Sequence, residues 1–145
     1  MLHILLAEDN RGDVLLVQQA LDEHSIQHEL HVVHDGAQAI EFIEQIGQSG
    51  GAPRPDLLLL DLNLPKAEGQ QVLTEFRKRP ECATTPVVVV SSSDAPRDRA
   101  RMAELGVSHY FRKPSELDEF MKLGAVVREL VGNGSGPIQS FSGKA

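Results

Sequence analysis

The chain has 145 residues, enough for one domain with a real core, and its 41% apolar and 24% charged residues are globular proportions rather than disordered or fibrous ones. A formal net charge of −7 argues against an extended nucleic-acid footprint, which needs a basic face. Met1-Leu2-His3-Ile4 has neither the basic stretch nor the cleavage site of a signal peptide, no apolar run approaches the roughly 20 residues of a membrane span, and a lone Cys82 offers no disulfide framework or thiolate metal knuckle, so a soluble cytoplasmic protein is expected.

Along the chain, short apolar runs alternate with helical patterns. Leu2–Ala7 is an apolar run that stops at Glu8-Asp9, as a buried strand does. From Gly12 to Glu23, Val14, Val17 and Leu21 recur at helical spacing, with Gln18, Gln19, Asp22 and Glu23 outside that stripe. Glu29–His34 predicts a second strand, Asp35-Gly36 a turn, and Ala39, Ile40, Ile43 and Ile46 a second helix. The stretch from Gly47 to Pro55, rich in Gly, Ser and Pro, predicts a loop. Leu57–Leu60 is a wholly apolar strand ending in Asp61. Gly69–Arg79 predicts a third helix, with Val72, Leu73 and Phe76 inward and Pro80 just past its end. Val87–Val90 is a β-branched run leading into Ser91-Ser92-Ser93. Arg97–Leu105 predicts a fourth helix with Gly106 closing it, Ser108–Phe111 a fifth strand, and Glu116–Val131 a fifth helix. One domain over 1–131 is therefore expected, followed by a linker-like flexible tail over 132–145.

Five strand-then-helix units imply an α/β fold, a parallel sheet with helices on both faces, because parallel strands need crossover connections. In such open sheets, sites lie at the carboxyl ends of the strands. Those ends carry the polar residues here: Glu8-Asp9 after the first strand, Asp61 after the third, Ser91 after the fourth and Lys113 after the fifth. Carboxylates brought together repel unless a cation neutralises them, and an all-oxygen cluster without His or Cys selects Mg²⁺, with Mn²⁺ as the alternative. Such a cluster suits phosphoryl chemistry, with one carboxylate as acceptor and a hydroxyl and an ammonium binding the phosphoryl oxygens. Any one of these acidic residues alone reads as a solvated strand end. Five polar positions at strand ends together do not.

The same residues carry a family likeness. Ile4-Leu5-Leu6-Ala7-Glu8-Asp9-Asn10, Leu57-Leu58-Leu59-Leu60-Asp61-Leu62-Asn63-Leu64-Pro65 with Glu68-Gly69, Pro86-Val87-Val88-Val89-Val90-Ser91-Ser92, and Tyr110-Phe111-Arg112-Lys113-Pro114 resemble the motifs of two-component response regulator receiver domains from about Leu2 to Val131. The spacings agree, 30 positions from Asp61 to Ser91 and 22 from Ser91 to Lys113. The resemblance implies a flavodoxin-like, doubly wound five-stranded sheet of order 2-1-3-4-5 with five helices. It implies that Asp61 accepts a phosphoryl group from a histidine kinase or phosphotransfer protein. Glu8, Asp9, Asp61 and the Asn63 backbone carbonyl would hold Mg²⁺, and Ser91, Lys113 and Tyr110 would sense the phosphoryl group. It also makes Lys113-Pro114 a candidate cis peptide, and makes the face of the fourth helix, fifth strand and fifth helix a pairing surface, with His109, Phe111, Phe120, Leu123 and Val127 as its apolar material. Leu64 replaces the Met of many members, a volume-conserving change. The longer loop from Ile46 to Pro55, together with Asp-Leu-Asn-Leu-Pro and the lack of an output domain, resembles the subgroup that serves bacteriophytochrome kinases.

Competing readings are weaker. A haloacid-dehalogenase-like phosphatase also uses a strand-end Asp and Mg²⁺, but its Asp-x-Asp follows the first strand, and position 63 here is Asn. A phosphorylation-independent pseudo-receiver is opposed by the intact set of Glu8, Asp9, Asp61, Ser91 and Lys113. Glu8-Asp9-Asn10-Arg11-Gly12 is no nucleotide-binding glycine loop. A metal site built from His28, His31 and His34 is not expected, because His31 and His34 would face opposite sides of a strand. His109 and Cys82 read as a surface residue and an ordinary thiol, and the serine run lacks a His–acid pair to activate a nucleophile.

Overall fold

A computed structural model describes residues 1–132, so the tail expected over 132–145 lies, beyond Gly132, outside the described residues. Strands β1 (Leu2–Ala7), β2 (His28–Val33), β3 (Leu57–Leu60), β4 (Val87–Ser91) and β5 (His109–Arg112) form one parallel sheet of order β2-β1-β3-β4-β5. Around it lie α1 (Arg11–Glu23), α2 (Gly36–Glu44), α3 (Gly69–Lys78), α4 (Pro96–Glu104), α5 (Leu117–Phe120) and α6 (Lys122–Val131). The expected fifth helix is thus present in two segments that meet at Met121. There the Gly124 amide donates to the Met121 carbonyl at 3.1 Å, a tighter i→i+3 bond.

The sheet is buried on both faces, and the period of two sorts its side chains into two cores. Leu5, Ala7, Leu58, Leu60, Val87 and Val89 pack with Ile43 of α2 and Phe76 of α3. Ile4, Leu6, Leu57, Leu59, Val88 and Val90 pack with Val17 and Leu21 of α1 and with Leu123 and Val127 of α6. All four leucines of β3 have no exposed area. Each such burial contributes about 1.5–3 kcal/mol before chain entropy is set against it.

Helix ends follow local chemistry. Asn10 caps α1, its side-chain oxygen accepting from the Asp13 amide at 2.9 Å. Asp35-Gly36, expected as a turn, supplies the cap and first residue of α2, with Asp35 accepting from the Gln38 amide at 2.7 Å. Pro96 opens α4, where its missing N–H costs nothing. Gly106 follows that helix at φ +81°, a conformation that favours glycine. Gly124 answers a different need: a Cβ there would sit 2.4 Å from the Ala20 carbonyl oxygen, so only glycine lets α6 close on α1. The Arg77 guanidinium, partly buried, donates to the carbonyls of Cys82 at 2.8 Å, Thr85 at 2.7 Å and Gly106 at 3.1 Å. It ties the end of α3 to the start of β5.

Two expectations need correction. The Lys113–Pro114 bond is trans, the isomer intrinsically preferred by about 0.5–1 kcal/mol for a bond preceding proline. Of the five residues expected on a pairing face, Phe120, Leu123 and Val127 are core, because the apolar stripe of α5 and α6 turns inward onto the sheet and α1. Phe111 packs edge-on against Phe120 with ring centroids 6.0 Å apart, which leaves His109 as the exposed member of the five. Among the described residues no helix is long and apolar enough to cross a membrane.

Candidate functional site

Each candidate side chain is delivered by the end of a strand. Glu8 and Asp9 follow β1, whose register with β2 and β3 is fixed by ladders through Ala7↔Val33 and Ala7↔Leu60. Asp61 follows β3 and is anchored by its amide, which donates to the Ala7 carbonyl at 3.0 Å. Lys113 follows β5, its amide donating to the Ser91 carbonyl at 2.7 Å. These backbone bonds between adjacent strands set the side chains at the same end of the sheet.

The Lys113 ammonium is the hub. Its Nζ lies 2.9 Å from Glu8 Oε1, 2.7 Å from Asp13 Oδ2 and 3.0 Å from Asp61 Oδ2, so the ammonium faces three carboxylates and donates to those of Asp13 and Asp61. The other Asp61 oxygen accepts from the Asn63 amide at 2.9 Å, and the other Glu8 oxygen accepts from the Asn10 amide at 3.2 Å. Glu8 and Asp61 are buried, whereas Asp9 is exposed. Burial pushes the Glu8 carboxyl up to about 7; its bond to Lys113 opposes that rise and the neighbouring Asp61 adds to it. For Lys113, burial works against the charge, but the bonds to Asp13, Glu8 and Asp61 outweigh it and hold the ammonium above the ordinary lysine value.

Asp13 is the member that sequence reasoning missed. It sits in the first turn of α1, where an acidic residue is favoured by the helix dipole alone, and nothing local announces a partner 100 positions away. Its signal was available only as a second carboxylate four residues after Asp9.

Ligand oxygens of Glu8, Asp9 and Asp61 all lie within 4.8 Å of one another. Four carboxylates with Asp13, set against a single ammonium, leave an excess of negative charge that a divalent cation would neutralise. The donor set is oxygen only, which fits a hard cation. Asn63 is exposed beside Asp61, held there by its amide.

Ser91 and Tyr110 are linked through a third residue. Ser91 is fully buried and its hydroxyl oxygen accepts from the Ser93 amide at 3.1 Å. The Ser93 carbonyl in turn accepts from the Tyr110 hydroxyl at 2.9 Å. Tyr110 stands opposite Val89 in the β4–β5 ladder, is half-buried, and has the Arg99 guanidinium 4.6 Å over its ring. Of the histidines set aside earlier, His28 bonds back to the Ile26 carbonyl and His34 lies just beyond β2 near the Glu8 carbonyl. His28, His31 and His34 do not converge. Cys82 is buried and unpaired.

A family model of the response regulator receiver domain matches residues 4–124. Response regulator Rcp1 of Synechocystis is 42% identical over 120 residues, covering 83% of this chain and 82% of its own length. The structure of the Mn²⁺-bound form of Rcp1 superposes with a TM-score of 0.79 at 39% identity, covering 89% of this chain and 93% of that one. The phosphorylated cyanobacterial phytochrome response regulator RcpA gives 0.79 at 38% identity, covering 88% and 91%. The bacteriophytochrome response regulator RtBRR gives 0.74 at 33% identity, covering 99% and 83%.

Proposed function

The chain belongs to the response regulator receiver domain family, a signalling family rather than one of turnover enzymes, and from that premise we propose that it is a phosphoacceptor switch in which Asp61 takes a phosphoryl group from a histidine kinase or phosphotransfer protein. The observation that carries this reading is the convergence of Asp61 with Lys113, Glu8 and Asp9 at the carboxyl ends of β3, β5 and β1. A carboxylate oxygen of Asp61 displaces the leaving group at phosphorus, a P–O bond forms as the donor's bond to phosphorus breaks, and the product is an acyl phosphate. Lys113, already on Asp61, is placed to move from carboxylates to a phosphoryl oxygen. Mg²⁺ or Mn²⁺, held by Glu8, Asp9, Asp61 and the Asn63 carbonyl, would supply charge neutralisation, the main requirement of phosphoryl transfer. The names of RcpA and RtBRR support a phytochrome-type kinase as donor.

The test is direct. Purified protein given acetyl phosphate and Mg²⁺ should take up one phosphoryl group by intact mass. Asp9→Asn should weaken Mg²⁺ binding by about tenfold or more, equivalent to about 1.4 kcal/mol. Asp22→Asn, on the exposed side of α1, should leave it unchanged. Equal Mg²⁺ affinity in the two variants would overturn the metal assignment, and sustained hydrolysis of unrelated phosphoesters would favour the phosphatase reading.

The output we propose runs from Ser91 to Tyr110. A phosphoryl oxygen that accepts a charge-assisted hydrogen bond from the Ser91 hydroxyl would draw that side chain inward, turning its oxygen away from the Ser93 amide it now accepts from. Ser93 carries the Tyr110 hydroxyl bond, so the populations of the Tyr110 side chain shift with it. Tyr110 is the only tyrosine, which makes its ring signal unambiguous. With beryllofluoride as phosphoryl mimic, the Tyr110 ring resonances should move in the unaltered chain and move far less in Ser91→Ala. An equal response would show that the hydroxyl is not the coupling element.

Two copies pairing through α4, β5 and the α5–α6 pair would have to use exposed His109, half-buried Phe111 and the charged residues around them, since Phe120, Leu123 and Val127 are core. We propose pairing through that face. Sedimentation at tens of micromolar should then show dimer, and a strict monomer both with and without phosphodonor rejects it.

A further inference from the structure

A second cluster of ligating groups lies at the other end of β1, outside the phosphoacceptor site. His3 stands opposite Glu29 in the β1–β2 ladder, and His31 follows two residues later, so period two puts all three side chains on one face of the sheet. His3 Nδ1 is 3.1 Å from His31 Nε2 and 3.9 Å from Glu29 Oε2, and His31 Nε2 is 3.4 Å from the same carboxylate oxygen. The backbone of His3 is fixed on both sides by Asp56, whose carboxylate accepts the His3 amide at 2.9 Å and whose amide donates to the His3 carbonyl at 2.7 Å. The Phe42 ring of α2 packs against His31 with centroids 5.6 Å apart.

We propose that His3, Glu29 and His31 form a binding site for a transition-metal dication of the Zn²⁺ class, separate from the Mg²⁺ site. The geometry is that of a tetrahedral face. Imidazole nitrogens and carboxylate oxygens at Zn²⁺ bonding distances of roughly 2.0–2.2 Å stand about 3.3–3.5 Å from one another around a tetrahedron. The three observed separations, 3.1, 3.4 and 3.9 Å, straddle that edge length. Two ring nitrogens aimed at each other can share only one proton, and the carboxylate beside them completes a two-nitrogen, one-oxygen set. That set is softer than the all-oxygen cluster around Asp61, so the two ends of β1 select different metals. The two sites are five residues apart along β1, about 16 Å of strand. Side-chain exposures of 36% for His3, 55% for Glu29 and 21% for His31 leave an entry path and a fourth position for water or a further ligand. A metal there would pin the edge strand β2 to β1.

The experiment is calorimetric titration of the full chain with Zn²⁺ in saturating Mg²⁺, which occupies the acidic cluster. One equivalent of Zn²⁺ should bind, and the double variant Asp9→Asn/Asp61→Asn should bind it equally. His3→Asn and His31→Asn should each weaken uptake by at least about tenfold. Nitrogen NMR of the rings should place the metal on Nδ1 of His3 and Nε2 of His31. All three side chains are partly exposed, so these variants keep the fold. Absence of Zn²⁺ uptake overturns the proposal, leaving the trio a hydrogen-bonded group only. Uptake unaltered in His3→Asn/His31→Asn overturns it as well.

Discussion

Asp61→Asn protein exposed to acetyl phosphate and Mg²⁺ should gain no mass, where the unaltered chain should gain about 80 Da for one acyl phosphate. The substitution is nearly isosteric. It keeps an oxygen for the Asn63 amide, which now bonds Asp61 Oδ1 at 2.9 Å, but removes the nucleophilic carboxylate. Lys113 loses one of its three partners and retains Glu8 at 2.9 Å and Asp13 at 2.7 Å. Removing a charge from a self-repelling acidic group offsets the lost ion pair, so the fold should persist with a stability change within about 1 kcal/mol. The loss of labelling is therefore a chemical effect, and intact mass with circular dichroism on the same sample separates it from unfolding. Full labelling of the variant at another residue would remove Asp61 from its role.

The largest stability effect is expected at Lys113. Lys113→Ala strips the ammonium from Glu8, Asp13 and Asp61, two of which are buried, and stranding buried charge in this way costs about 3–5 kcal/mol. The cost depends on pH through Glu8. Its folded pKa, about 7, lies above the ordinary value of 4.5. The stability due to its extra proton affinity is therefore fully present below about pH 4.5 and is lost as pH rises through about 7. Without Lys113 to oppose burial, Glu8 holds its proton more tightly still. The variant should thus be penalised less near about pH 5 than near about pH 8, where keeping Glu8 protonated in the folded chain costs more against the ionised carboxyl of the unfolded chain. Mg²⁺ should recover part of the loss at the higher pH by replacing the missing positive charge. Urea unfolding of both proteins in chelator and in Mg²⁺ measures this directly, and an unchanged midpoint at the higher pH would show the Lys113 contacts to be energetically idle. The yield of phosphorylated protein should fall as well, since the ammonium is assigned to a phosphoryl oxygen.

Local pattern was sufficient to determine the order of elements and to single out most of the residues that make up the candidate site. Leu57–Leu60 and Val87–Ser91 are runs that only a strand buried on both faces would carry, and the polar residue closing each run marks the carboxyl edge where such folds place their sites. Glu8, Asp9, Asp61, Ser91 and Lys113 were legible for that reason. Helical periodicity showed that Phe120, Leu123 and Val127 share a face, but not which way the face turns, since rotation of a helix about its axis is decided by what packs against it. The structure turned them onto the sheet and α1, through an approach that Gly124 alone permits. Asp13 meets Lys113 across 100 positions, and His3 meets His31 across 28 through the β1–β2 register. No local pattern encodes either meeting, because both depend on how separate strands and helices align. What the sequence determined by itself was therefore which residue types close each strand; which of them touch was decided by strand register and helix rotation, properties that exist only once the core has formed.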